Sequence, residues 1–169
     1  MALMVTTRQT DPFKTFKFTV AFEDTGVIAG VSKISGLKRT TEIISHRHGG
    51  MMSTVVNSPG QSKFEALTME RGLTLNTGFE EWADLTFSPL GDGGVSLQNF
   101  RRNLIINMNN LQGDPVRSWF VYGCWISEYN AAPELDANGN SFAFESIVLQ
   151  NHGFMRDVDV GESIPVFSE

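Results

Sequence analysis

The feature that most constrains this chain is a two-residue period in its apolar side chains. Between Phe13 and Phe22, the residues Phe16, Phe18, Val20 and Phe22 fall on one side, and Lys17, Thr19 and Ala21 on the other. Successive side chains of an extended strand point to opposite faces, so this alternation describes a half-buried strand. The period returns at Arg102–Met108, where Leu104, Ile106 and Met108 alternate with Asn103, Ile105 and Asn107. Further extended segments are expected at Val27–Ile34, Lys38–His46 and Phe64–Arg71, and the aromatic run Val116–Ile126 reads as a strand bent at Gly123. Another strand begins at Phe142, Phe144 and Ile147, after Asn138-Gly139. That dipeptide is the best hairpin turn in the chain, because it supplies the positive φ angles of a type I′ turn.

One segment has a helical period instead. Thr77 is a candidate N-cap, and Glu80 three residues on completes a capping box. Phe79, Trp82, Ala83 and Thr86 follow at helical spacing, and Ser88-Pro89 stops the run. The pattern predicts a helix over about 78–87 that lays an aromatic face on the sheet. The expected fold is mainly β: a small antiparallel β barrel or sandwich with one α-helix at its side. Its core is expected to hold Phe16, Phe18, Val20, Phe22, Trp82, Trp119 and Trp125. Residues 1–155 read as a single domain and 156–169 as an acidic C-terminal tail.

Composition narrows the function classes. With 41% hydrophobic residues in 169, the chain can bury a sizeable core and is not a disordered one. Only 19% of residues are charged, against roughly 25% in an average domain, which leaves surface to bury against partners. A net charge of −6 argues against an ordinary nucleic-acid binder, since phosphate is repelled. That charge is uneven. Residues 1–85 hold nine basic and nine acidic side chains, whereas residues 86–169 hold four Arg, no Lys and ten acidic side chains. The start, MALMVTTRQT, does not read as a secretory signal, and no stretch approaches the ~18 apolar residues of a membrane span. Synthesis in the cytoplasm, without membrane insertion by the isolated chain, is the expectation.

Candidate chemistry is sparse. There is no Walker-type loop, G-x-G-x-x-G, H-E-x-x-H or C-x-x-C, and Gly30-Val31-Ser32-Lys33-Ile34 fails the last position of a nucleophile elbow. His46 and His48 share one side of a strand, but a zinc site needs further ligands, and only His152 and Cys124 are left among the usual nitrogen and sulfur donors. Cys124 sits in the apolar run WFVYGCWI and reads as buried core. Asp136–Asn140 resembles the start of a calcium loop, yet Ser141 replaces its glycine and Ile147 its bidentate Glu. Glu80, Glu81 and Asp84 read as a solvated helix face, and Arg101-Arg102 as a basic pair that is either exposed or meets an acidic patch on a neighbour. No nucleophile, base and oxyanion hole assemble, so no enzyme, cofactor or metal is expected.

The segment from Gly49-Gly50 to Asn57-Ser58-Pro59-Gly60 is rich in turn formers but carries Met51, Met52, Val55 and Val56. Composition leaves two readings open: a loop tucked onto its own domain, or a loop that docks on another subunit.

Several segments taken in order point further. They are Asp11-Pro12-Phe13, Val31–Leu37, His48-Gly49-Gly50, Ser58-Pro59-Gly60, Leu67–Gly72 and Trp82. Arg101-Arg102-Asn103, Trp119, Cys124–Tyr129, Pro133–Asn140 and Phe144–Ile147 complete the series. In this order and spacing they resemble the inner tail tube proteins of contractile phage tails and phage-tail-like contractile injection systems, over about residues 11–155. The resemblance implies a β barrel or sandwich subunit with one helix. It implies rings of six, stacked into a tube inside a contractile sheath. Baseplate and tail-terminating cap proteins would be partners, with DNA or protein cargo in the lumen, and the tube would become part of a phage tail or injection particle. It also implies that the loop of about residues 47–60, with Gly49, Gly50, Met51, Met52, Val55, Val56 and Pro59, makes the contacts between rings. An acidic lumen would let DNA or acidic cargo slide. A reading from another class is a monomeric β-barrel module that binds carbohydrate or protein, with Trp119–Tyr129 as its platform; it needs exposed Trp side chains.

Overall fold

The alternating segments become ten strands, and the helical one becomes a single short helix, in a computed structural model that describes residues 17–28, 30–47, 49–50, 55–87, 99–133 and 142–160. The strands are β1 (Phe18–Phe22), β2 (Gly26–Ile28), β3 (Val31–Ile34), β4 (Arg39–His46), β5 (Val56–Phe64) and β6 (Leu67–Gly72). The helix α1 (Gly78–Asp84) comes next, followed by β7 (Arg102–Asn109), β8 (Pro115–Asn130), β9 (Phe144–Gln150) and β10 (Gly153–Asp157).

Eight strands make one antiparallel sheet in the order β2-β1-β7-β8-β9-β6-β3, with β10 also paired to β8. The 16-residue β8 serves two halves. Its first part pairs with β7 and β10, and its second with β9. Between them lies Gly123 at φ +59, a left-handed conformation that residues with a Cβ rarely adopt. The sheet bends there, as the aromatic run with its internal glycine predicts.

Both halves face a common core. Val20, Leu104, Ile106 and Val121 come from one half, and Leu67, Met69, Cys124, Ile126, Ile147 and Leu149 from the other, with Phe79 and Trp82 of α1 closing it. Burying each such apolar side chain contributes roughly 1.5–3 kcal/mol. Trp82 is fully buried, donates Nε1–H to the Phe100 carbonyl at 2.8 Å and meets Phe22 edge-on at 5.2 Å. The indole is therefore buried with its one donor satisfied.

Several local expectations change. Phe18, Phe22 and Trp119 are half-buried and pack against the core, while Phe16 lies outside the described residues. Trp125 is not in the core: it alternates with buried Cys124 and Ile126, so it occupies the opposite face of β8, against Phe100. The helix stops at Asp84, short of the expected end near 87, with Leu85 as its C-cap. The capping box does not form. Thr77 has φ −85 and ψ 5, outside the β-region of a standard N-cap, and its hydroxyl donates to Glu81 Oε1. Asn76 Oδ1 accepts from the Gly78 N–H instead, at 2.9 Å. The Asn138-Gly139 turn and the Asp136–Asn140 segment lie outside the described residues. Arg156 and Asp157, which begin the expected tail, are paired residues of β10.

Candidate assembly site

β4 and β5 stand apart from the sheet as a two-stranded hairpin of their own. The segment expected to be a loop up to Gly60 is strand from Val56 onward, pairing His46 with Val56 and Arg39 with Phe64. Turn-forming residues misled the sequence reading here. Pro59 lies in β5 opposite Ile43 beside a register shift, in a hairpin that pairs with no third strand among the described residues, and an edge position is where a strand proline is tolerated. Gly60 passes so close to β4 that a Cβ would lie 3.1 Å from the Glu42 carbonyl oxygen. Polar side chains lace the strands together, Thr41 to Ser62 at 2.8 Å and Ser45 to Asn57 at 2.9 Å.

All eight residues of β4 are exposed, as are most of β5. Ile43 and Ile44 are 68% and 53% exposed, and Val55 and Val56 of the predicted contact loop are 55% and 39% exposed. An isolated two-stranded hairpin is marginal in water, and long exposed edges with apolar side chains invite strand pairing. Of the other loop residues, Gly49, Gly50 and Pro59 are exposed, while Met51 and Met52 lie outside the described residues. Sequence reasoning singled out Val55 and Val56 but missed Ile43 and Ile44. Their signal was available, since two apolar residues adjacent in a polar strand cannot both face one core.

At its base the hairpin is tied to the body. Lys38 Nζ lies 2.7 Å from Glu65 Oε1, and Thr40 Oγ1 donates to the same oxygen at 3.2 Å. The Lys38 ammonium chiefly holds the Glu65 carboxyl below its ordinary range.

The body carries a different charged cluster. Arg71 and Glu145 are register partners on β6 and β9, and both are almost fully buried. Arg71 Nε is 2.5 Å from Glu145 Oε1, its terminal nitrogens donate to Asn76 Oδ1 and the Asn76 carbonyl, and its guanidinium lies 4.0 Å from the Phe79 ring centre. Tyr129 donates to Glu145 Oε2 at 3.3 Å, and burial together with that carboxylate raises the Tyr129 pKa. Each charge is buried with partners, which is the condition for tolerating it. The pair fastens the loop before α1 to the sheet. The sequence reading missed it, although Arg71 keeps the period of Leu67 and Met69, and Glu145 that of Ile147 and Leu149.

Cys124 is buried, and desolvation pushes its thiol up to about 12. Among the described residues no cluster of three or more His, Cys, Asp or Glu could hold a metal; His48 lies outside them. His46 and His152 are exposed, as are Glu80, Glu81 and Asp84. A polar surface cavity of about 600 Å³ is lined by Glu23, Asp24, Asn99, Arg101, Arg102 and Asn103. Its charges are mixed, and Arg102 is engaged with Phe22 and Trp82 at 4.9 and 5.8 Å from their ring centres. Among the described residues no helix is long and apolar enough to cross a membrane.

Among the described residues the fold is an antiparallel β body with one short helix and a separate two-stranded hairpin, a mainly β class of subunit. Residues 14–155 match the family model described as T4-like virus tail tube protein gp19, and the chain belongs to that tail tube family. Its fold recurs in solved structures. A chain of the anti-feeding prophage tube terminating cap, seen by cryo-EM, is 21% identical with a TM-score of 0.75, covering 93% of this chain and 99% of that one. A chain of the PVC sheath-tube complex, an extracellular contractile injection system in its extended state, is 22% identical with a TM-score of 0.73, over 88% and 93%. More distant is Hcp1 from Flavobacterium johnsoniae, 12% identical with a TM-score of 0.52, over 82% and 93%. A search of curated protein sequences returns no significant match.

Proposed function

We propose that this chain is the structural subunit of the inner tube of a contractile injection machine. Six copies form a ring, and rings stack into a hollow tube inside a contractile sheath. Membership of the tail tube family supports this reading, as does the likeness of fold to chains from sheath-tube, baseplate and cap assemblies. Sheath, baseplate and terminating cap proteins are its partners, and DNA or protein cargo occupies the lumen without sequence-specific binding. The chain assembles in the cytoplasm and then belongs to a phage tail or injection particle. No catalytic step is part of this role.

The observation that carries the reading is the β4–β5 hairpin, whose exposed Ile43, Ile44, Val55 and Val56 gain burial when a second copy covers them. Heterologous contacts of this kind close into rings or propagate, as a stacked tube requires. The residues from Gly49 to Pro59 are assigned to contacts between rings. Electron microscopy of the purified protein is expected to show rings or hollow tubes of uniform width. Deleting Met51–Asn57 should leave folded subunits or rings but no tubes, and normal tubes from that variant would refute the docking role. The alternative of a monomeric binding module needs an exposed indole platform, and Trp82 is buried while Trp119 and Trp125 are half-buried.

A further inference from the structure

The hairpin arm is the continuation of β3 and β6 past a bend. Ser35 N–H donates to the Thr68 carbonyl at 2.8 Å, and Glu65 N–H to the Lys38 carbonyl at 3.0 Å, so one antiparallel stem runs from the body into the arm. Two strands joined only along such a stem can swing about it, because a narrow ribbon has no second layer to fix its direction. A third element meets this stem. The turn between β9 and β10, Asn151–Gly153, lies against the arm's base, where Asn151 Nδ2 donates to the Glu65 carbonyl at 3.0 Å. The Phe64 ring sits over the Cα of Gly153, so close that a Cβ there would lie 3.2 Å from Phe64 Cζ. Phe154 meets the same ring edge-on at 5.6 Å.

The turn is itself braced from behind. His152 N–H donates to the Tyr122 carbonyl at 2.9 Å, and its imidazole lies against the Cα of Gly123, where a Cβ would come within 3.1 Å of His152 Cγ. Gly153 has φ +148, so its conformation as well as its lack of a side chain suits glycine. The contacts run without a gap from the bend in β8, through the β9–β10 turn, to the first residues of the arm.

We propose that the Asn151–Gly153 turn is the mount that sets the direction of the β4–β5 arm, with Phe64, Gly153 and Asn151 as positioning residues for its docking on a second copy of this chain. The proposal rests on the reading of the arm as an assembly element. An arm held in one direction docks without first losing its rotational freedom, the general advantage of a preorganised binding element.

The test separates the mount from the docking. Spin labels on cysteines placed at Arg47, next to the tip of the arm, and Gln112, in an exposed turn of the body, report the arm's direction in the full-length subunit. Cys124 is buried and takes no label. The parent protein should give one narrow distance distribution. Phe64→Ala is expected to roughly double its width, with Phe64→Leu partly restoring it, since a bulky apolar group is what the mount grips. Tube yield should fall about tenfold or more in Phe64→Ala, while the thermal transition of the subunit stays cooperative. Asn151→Ala removes the side-chain amide, and with it the donor to the Glu65 carbonyl, and should broaden the distribution more modestly; it serves as the second variant if Phe64→Ala does not fold. An unchanged width in a folded variant overturns the mount. A broadened arm with normal tube yield overturns the assembly reading on which the proposal stands.

Discussion

β5 and β6 are separated by two residues, Glu65 and Ala66, and dispose of their side chains in opposite ways. β6 alternates strictly, with Leu67, Met69 and Arg71 buried and Thr68, Glu70 and Gly72 half-buried. Along β5 no residue is buried. Both strands belong to antiparallel pairs, so backbone pairing does not separate them. β6 lies between β3 and β9 with a second layer across its inner face, whereas among the described residues β5 pairs with no strand but β4 and packs on the body only through Phe64 at its end. Burial is thus a property of what lies opposite a face. A strand without an opposite layer in its own subunit is free to receive one from another.

The two ion pairs make the same point. Lys38–Glu65 at the base of the arm is solvated, and Arg71–Glu145 is enclosed in the body. A solvated pair is a weak tether, while an enclosed one becomes costly when either partner is removed.

The sharpest way to break this contrast is Arg71→Ala. Leaving Glu145 buried and unpaired should destabilise the subunit by about 3–5 kcal/mol, read from a urea transition. Replacing the pair together, as Arg71→Met with Glu145→Leu, should recover most of that loss. Next comes truncation of a buried apolar residue in β6. Met69→Ala should cost roughly 2–5 kcal/mol, while Ile43→Ala in the arm should stay within about 0.5 kcal/mol and reduce tube yield instead. If Ile43→Ala destabilises the isolated subunit as much as Met69→Ala, the arm is part of the folded core and the contrast fails.

A smaller effect concerns pH. Glu65 has its pKa lowered on folding, so its contribution is complete above the unfolded value of about 4.5 and is lost as pH falls through the folded one. The arm of the isolated subunit should loosen as pH falls below the ordinary carboxylate range, seen as a broadened spin-label distance, and Glu65→Gln should show that looseness already at pH 7. Least visible is Cys124. Its raised pKa keeps it protonated at neutral pH, so a thiol reagent should modify it only after unfolding. Rapid labelling of the native subunit would show that the second half of β8 opens.

Much of the body was legible because the two-residue period is a local property. Leu104 and Ile106 alternate with their neighbours in the sequence and lie buried in β7, and Gly123 interrupts an aromatic run where β8 turns between the two halves. Trp125 misled because aromatic content was taken for burial, while its neighbours Cys124 and Ile126 hold the inward phase. The second strand of the arm was read as loop because Asn57, Ser58, Pro59 and Gly60 are turn formers by preference, whereas Lys38–His46 was read as extended. In the fold they serve a hairpin with no third strand among the described residues, where a missing N–H and a close backbone approach are tolerated.

The uneven charge also changes its meaning. Glu145 belongs to the acidic second half, yet it is spent on Arg71 of the neutral first half. Asp114, Glu128 and Asp159 are exposed. The charge available to the surroundings is therefore not the one counted along the chain.

By itself the sequence determined a mainly β chain with one helix, an inward apolar phase in most body strands and the family resemblance, since these reside in the order and spacing of residues. Only the tertiary structure decided that Arg71 meets Glu145, that the β9–β10 turn meets Phe64 and that most of β4 and β5 stays exposed. Those facts depend on which distant segments become neighbours. A period in one strand specifies which face is apolar, but not what lies across from it.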